Sequence, residues 1–89
     1  MRVEDFGALL YERHHAELSP AGQIGTEDSM RADEWLDVAL DMVTIGIKRG
    51  FLSDDEARQA LAFARQGQFL KMSDHLAQQL DSYLALTAA

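Results

Sequence analysis

Large apolar residues recur at intervals of three and four along most of the chain, the spacing that places them on one face of an α-helix. The pattern predicts four helices, at about residues 4–18, 29–49, 54–66 and 68–87. Residues 19–28 (SPAGQIGTED) hold one proline, two glycines and a single large apolar residue, and are predicted to form a loop. No segment is convincingly predicted as a strand. We therefore expect an all-α fold, a small four-helix bundle formed by residues 1–89 as a single domain.

The second helix has the strongest pattern and is predicted to be central. With about 100° between successive residues, its apolar side chains, including Trp35 and Met42, fill an arc of about 200°. A surface helix needs a narrower stripe, so this width is typical of a helix that is packed on several sides. The remaining polar stripe carries Asp33, Asp37 and Asp41. A strand over residues 43–47 (VTIGI) is the alternative, although no second strand is predicted to pair with it.

Capping signals indicate where the helices begin and end. Pro20 disfavours helical geometry in the residue before it, so it is expected to end the first helix. A basic pair followed by Gly50 is a stop signal for the second helix. Ser53 and Glu56 have the spacing of a capping box, in which each side chain bonds to the backbone of the other. Ser73 is a candidate cap for a break in the last helix, but we expect one continuous helix.

Composition limits the functions that this 89-residue chain can have. It contains no cysteine, which excludes disulfides, thiolate zinc sites and cysteine nucleophiles. Fifteen acidic residues against eight basic ones give a net charge of −7, and because such a chain repels phosphate backbones we expect no direct nucleic-acid binding. No apolar run approaches the roughly 18 residues of a membrane span, and the start MRVEDF does not fit a signal peptide. We therefore expect a cytoplasmic protein that does not bind membranes.

The negative charge is concentrated in the first half of the sequence. Residues 1–47 hold ten acidic and three basic residues, whereas residues 48–89 hold five of each. Part of the excess is aligned on the second predicted helix and extends into the predicted loop before it. The candidate partner-binding surface consists of Glu27, Asp28, Asp33, Glu34, Asp37 and Asp41. It is either a solvated face that keeps the protein soluble or a docking surface, since carboxylates bind arginines bidentately.

The sequence has no arrangement of side chains that is typical of catalysis or metal binding. His14 and His15 are adjacent, so on a helix they point about 100° apart and cannot both bind one ion. His14 lies on the apolar stripe of the first predicted helix and is interpreted as a packing residue. Glycine-rich phosphate loops, nucleophile elbows, Glu-x-x-His pairs and calcium-binding loops are all missing from the sequence. We expect no catalytic residue, no cofactor and no metal, and therefore a protein that is not an enzyme.

A second candidate surface lies on the last predicted helix. Its apolar stripe is wider than one short neighbouring helix can cover, so part of it is a candidate interface with a second copy or another protein. The residues of this C-terminal seam are Phe69, Met72, Leu76, Leu80, Tyr83 and Leu84.

These features favour a small acidic protein-binding module. The expected function is that of an inhibitor or regulator that occludes a basic or nucleic-acid-binding surface of a partner protein, as immunity, antitoxin and anti-defence proteins do. The charge would also speed encounter with a basic partner at low salt. The alternative is a structural or assembly protein, or a chaperone, that acts through the C-terminal seam.

Overall fold

Five α-helices follow one another along residues 1–87, the part of the chain that the computed structural model describes. They are α1 (Val3–His14), α2 (Pro20–Arg31), α3 (Trp35–Arg49), α4 (Asp54–Arg65) and α5 (Ser73–Thr87), with short 3₁₀ turns at His15–Glu17 and Leu70–Met72. Within this range no residue belongs to a strand. The predicted all-α class is confirmed, whereas the predicted number of four helices is wrong.

The extra helix, α2, occupies most of the segment that was predicted to be a loop. Ser19 is its N-cap, and the Ser19 hydroxyl accepts a hydrogen bond of 3.1 Å from the backbone N–H of Gly22. Pro20 is the first helical residue, a position where proline loses no hydrogen bond and where its fixed φ fits the helix. The loop prediction for residues 19–28 is therefore wrong. Pro20 was interpreted as the end of the first helix, but it is the first residue of the next one.

The long helix predicted over residues 29–49 is two helices. Asp33 adopts a left-handed backbone with φ of 60°, and the N–H of Glu34 donates to the carbonyl of Ser29 at 2.8 Å. This pattern of a left-handed residue with a bond back to the last helical turn is a Schellman motif, which ends α2. The sequence analysis missed this break, because residues 32–34 contain neither glycine nor proline to mark the end of a helix.

The C-terminal part also differs from the single helix predicted over residues 68–87. Ser73 begins α5, and its hydroxyl accepts a bond of 3.0 Å from the N–H of Phe69. Leu70 has a left-handed backbone with φ of 55°, which prevents a continuous helix through this region. The sequence analysis named a break at Ser73 as the alternative to one continuous helix, and the structure has this break.

Two structural units divide the chain, Met1–Ile45 and Gly46–Ala89, and the boundary falls inside α3. In the first unit α1 lies directly on α3 at Gly7, where an added Cβ would come within 2.7 Å of the Ala39 nitrogen. In the second unit α4 packs on α5. The predicted capping box is confirmed there, with Ser53 and Glu56 bonded to each other's backbone at 2.9 and 3.1 Å. The single-domain assignment stays a prediction.

Candidate functional site

An acidic cleft of about 670 Å³ opens in the first unit, beside the start of α1 and the start of α3. Five carboxylates line it, and only one basic group does, the guanidinium of Arg2. The acidic residues are Glu4, Asp5, Asp33, Glu34 and Asp37, while Ala8, Trp35 and Leu36 supply the apolar part of the lining. The cleft thus combines four uncompensated negative charges with an aromatic and aliphatic surface.

Arg2 neutralises only one of these carboxylates. Its guanidinium donates to Glu4 at 2.6 Å, and this bond raises the pKa of Arg2 and lowers the pKa of Glu4. Both side chains are in contact with water, which screens the pair and limits its effect on stability. Asp5, one residue further along α1, is exposed. The start of α1 therefore contributes an open carboxylate as well as a fixed ion pair.

Trp35 is held in the cleft by the turn before α3. Its indole N–H donates a hydrogen bond of 2.7 Å to the carboxylate of Asp33, two residues earlier in the chain. Asp33 itself has the left-handed backbone of the turn. The side chain of Trp35 is half-buried rather than fully enclosed. The sequence analysis placed Trp35 on the apolar side of a helix that was predicted to begin at about residue 29. In that position Trp35 would be a core residue in the middle of a helix, so its place at the start of α3, beside the cleft, was missed.

Three of the six acidic residues predicted to bind a partner line the cleft, namely Asp33, Glu34 and Asp37. Sequence reasoning missed Glu4 and Asp5, which α1 brings to the same cleft. The sequence does show Glu4 and Asp5 as an acidic first turn of α1. Acidic first turns are common because they complement the helix dipole, so this feature alone did not indicate a binding site. Only the packing of α1 beside α3 turns them into part of a site.

The other predicted acidic residues have partners elsewhere in the first unit. Glu27 is half-buried and accepts a hydrogen bond of 2.8 Å from the hydroxyl of Tyr11. Asp28 forms an exposed ion pair with Arg31, one helical turn later in α2. The loop that was expected to extend the acidic surface is instead a helix with its own local pairing.

Asp41 lies one turn beyond Asp37 on α3 but outside the cleft lining. It is half-buried, and this burial raises the pKa of the Asp41 carboxyl, with a further contribution from the negative charge of Asp37. Asp41 therefore costs free energy when it is ionised in the folded state, as expected for a carboxylate removed from water.

The predicted C-terminal seam is mostly interior. Phe69, Leu76 and Leu80 are buried, and so is Tyr83, whose hydroxyl donates to the backbone carbonyl of Leu52 at 2.6 Å. Met72 and Leu84 are half-buried. In the folded chain the seam is thus a core for α5 rather than a continuous exposed interface.

The two adjacent histidines contact different groups. His14 Nδ1 lies 2.7 Å from the carboxylate of Glu17, and the ring of His15 lies 5.4 Å from the ring of Tyr11. In residues 1–87 no three acidic or histidine side chains are grouped so that they could hold a metal ion. Over the same range no helix combines the length and the hydropathy needed to cross a bilayer.

Comparison with known proteins assigns no family to the chain. No protein-family model matches it, and neither a curated protein nor a solved structure is significantly similar to it. The geometry and chemistry of the acidic cleft are therefore the features that point to a function.

Proposed function

We propose that this chain is a protein-binding module whose acidic cleft receives a basic segment of a partner protein and thereby occludes it. The observation that carries the proposal is the meeting of five carboxylates and one arginine around a single cleft with Trp35 and Leu36 in its lining. Carboxylates bind arginine and lysine by charge-assisted hydrogen bonds, and an aromatic ring beside them can contact the side-chain stem or the cation.

The chemistry of the lining favours binding over catalysis. The cleft offers carboxylates, one ion-paired guanidinium and apolar groups, a set that complements a cationic side chain with an apolar stem. We therefore infer a non-enzymatic inhibitor or regulator of the immunity, antitoxin or anti-defence kind, with the cytoplasm as its expected location. The net charge of −7 would steer a basic partner toward it at low salt.

Trp35 provides a direct test, because it is the only tryptophan of the chain and lies in the cleft. The probe is a synthetic peptide of alternating arginine and glycine, with a glutamate and glycine peptide as its control. Binding of the arginine peptide is expected to change the fluorescence of Trp35 and to weaken as salt is added. The glutamate peptide is expected to leave the fluorescence unchanged.

Two charge-reversal variants separate the cleft from the overall charge. Asp5→Lys combined with Asp37→Lys changes both sides of the cleft and should weaken peptide binding at least about tenfold. Asp55→Lys combined with Asp74→Lys is the matched control, since it makes the same charge change in the first turns of α4 and α5. Equal weakening in both variants would mean that binding follows net charge alone and would overturn the proposal.

A further inference from the structure

The second helix, α2, buries fewer residues than any of the other four helices. Thr26 is the only buried residue among its twelve residues, all of which the structure describes, whereas α4 has the same length and buries six. Gly22 and Gly25 are poor helix formers, and the side chain of Ile24 is 59% exposed. A helix with so little buried area opens locally at a lower free energy than the elements around it.

The last turn of α2 holds the backbone that leads into the acidic cleft. The N–H of Asp33 donates to the carbonyl of Met30 at 3.1 Å, and the N–H of Glu34 donates to the carbonyl of Ser29 at 2.8 Å. Both carbonyls belong to the end of α2, so these bonds require that this turn is helical. They hold Asp33 in a left-handed backbone, which aspartate adopts less readily than the ordinary helical one.

Asp33 connects this turn to Trp35. Its carboxylate accepts the indole N–H of Trp35 at 2.7 Å, and Asp33, Glu34 and Trp35 all line the cleft. Of the residues Pro20–Arg31 that form α2, which the structure describes in full, none belongs to the lining. The helix therefore acts on the cleft through the turn and not through contact with an occupant.

We propose that α2 is a conformational switch for the acidic cleft, an inference that rests on the proposed function of the cleft. While α2 is helical, the turn at Asp33 holds Trp35 in the lining. When α2 opens locally, the bonds to Ser29 and Met30 are lost, Asp33 relaxes, and the affinity for a basic segment falls. Linkage requires the converse as well, so an occupant of the cleft shifts α2 toward its helical form.

Two substitutions at Gly25 change the stability of α2 without changing charge. Gly25→Pro removes a backbone N–H from the middle of α2 and breaks the helix. Gly25→Ala is the matched control at the same site, because alanine favours the helix. A Cβ at this position meets nothing within 4 Å, so neither side chain collides with a neighbouring helix through its Cβ.

The fluorescence of Trp35 in the free protein gives the first readout. In Gly25→Pro the emission should shift to longer wavelength as Trp35 becomes more exposed to water, and the arginine peptide should bind at least about tenfold more weakly. Gly25→Ala should keep the wild-type emission and bind at least as tightly as the wild type. An unchanged emission in Gly25→Pro would overturn the switch. A wild-type protein that binds no arginine peptide would contradict the proposed function, whereas the emission of the free variants would still decide whether α2 positions Trp35.

Amide hydrogen exchange of the wild type gives a second readout that needs no substitution, and it decides the matter if Gly25→Pro fails to fold. A saturating concentration of the arginine peptide should slow exchange in residues 20–31 at least about fivefold, although none of them lines the cleft. Exchange in α4 should stay unchanged and serves as the internal reference. Binding without slower exchange in α2, or with equal slowing in α2 and α4, would overturn the proposal.

Discussion

The hydroxyl of Tyr83 donates a hydrogen bond of 2.6 Å to the backbone carbonyl of Leu52, 31 residues earlier in the chain. Both residues are buried, and this bond connects α5 to the turn that precedes α4. Burial raises the pKa of the Tyr83 hydroxyl, and the nearby carboxylates of Asp54 and Glu56 raise it further. Tyr83 is thus a structural residue of the second unit.

Replacing Tyr83 with phenylalanine should measure the value of this bond. The ring is retained, but the Leu52 carbonyl loses its buried donor, so the free energy of unfolding should fall by about 1–2 kcal/mol. Urea denaturation followed by circular dichroism provides the measurement. Tyr11→Phe is the control, because its hydroxyl donates to a partly buried carboxylate that water can reach, and a loss of about 0.5 kcal/mol or less is expected. Equal losses in the two variants would contradict this interpretation.

Three helix ends explain why the sequence predicts some boundaries and not others. Gly50, Gly67 and Asp33 all adopt left-handed backbones, with φ of 76°, 72° and 60°, at the ends of α3, α4 and α2. Glycine pays no steric cost in this geometry, so its presence marks the first two ends in the sequence. Aspartate adopts the same geometry less readily, and nothing in residues 32–34 distinguishes it from a helical aspartate. The break before α3 is therefore not marked in the sequence.

Capping residues show the same limit at helix starts. Ser53 and Glu56 form a two-residue signature with a defined spacing, so the start of α4 is predictable from the sequence. Ser19 caps α2 alone, and Pro20 after it is compatible both with the end of a helix and with the start of one. The single large apolar residue of the segment, Ile24, is exposed, so no apolar stripe was available to favour the helix.

The candidate site was half predictable. A run of carboxylates on one helix is visible in the sequence, and Asp33, Glu34 and Asp37 were identified from it. Glu4 and Asp5 are nearly thirty residues away in sequence, and their place in the cleft depends on α1 packing beside α3. A sequence pattern reports neighbours on one helix, whereas the composition of a cleft also depends on which helices lie side by side.

Gly7 should be the least replaceable of the helical glycines. An alanine Cβ there would lie 2.7–2.8 Å from the backbone and side chain of Ala39, so α1 and α3 would have to separate. We expect Gly7→Ala to reduce the free energy of unfolding by about 1–3 kcal/mol. Gly25→Ala in α2 is the matched control, because a Cβ there meets nothing within 4 Å and should stabilise the helix by about 0.5–1 kcal/mol. Thermal denaturation should shift in opposite directions, and shifts of the same sign would contradict the close packing.

Leu70 combines a left-handed backbone with a side chain that is 69% exposed. Asparagine tolerates this backbone better than leucine, and little buried apolar area would be lost. Leu70→Asn is therefore expected to increase the free energy of unfolding by about 0.5–1 kcal/mol in chemical denaturation. Leu86→Asn, at an exposed position within α5, should instead decrease it by about 0.5 kcal/mol, because asparagine is a poorer helix former. Destabilisation of both variants would show that the Leu70 backbone is not a source of strain.

Asp41 should make stability depend on pH in the opposite sense from an ion-paired carboxylate. Burial and the charge of Asp37 raise the pKa of Asp41 above its ordinary value of 3.8, so the folded state binds the proton more tightly than the unfolded chain does. Ionisation of Asp41 therefore reduces the free energy of unfolding as the pH rises through this interval. The penalty is fully present above the folded-state pKa and disappears below 3.8, where the carboxyl is protonated in both states.

The Asp41→Asn variant removes this penalty without changing the size of the side chain. It should be more stable than the wild type at pH 7, and the difference should shrink as the pH falls below the folded-state pKa of Asp41. Urea denaturation at a series of pH values gives the difference, and a carboxyl carbon NMR titration gives the pKa of Asp41 directly. In the Asp37→Asn variant the pKa of Asp41 should move toward its ordinary value, because one of the two causes of the shift is removed. A wild-type Asp41 that titrates at or below 3.8, or an Asp41→Asn variant that is less stable at pH 7, would contradict the argument, since both consequences depend on the cost of burying this carboxylate in its ionised form.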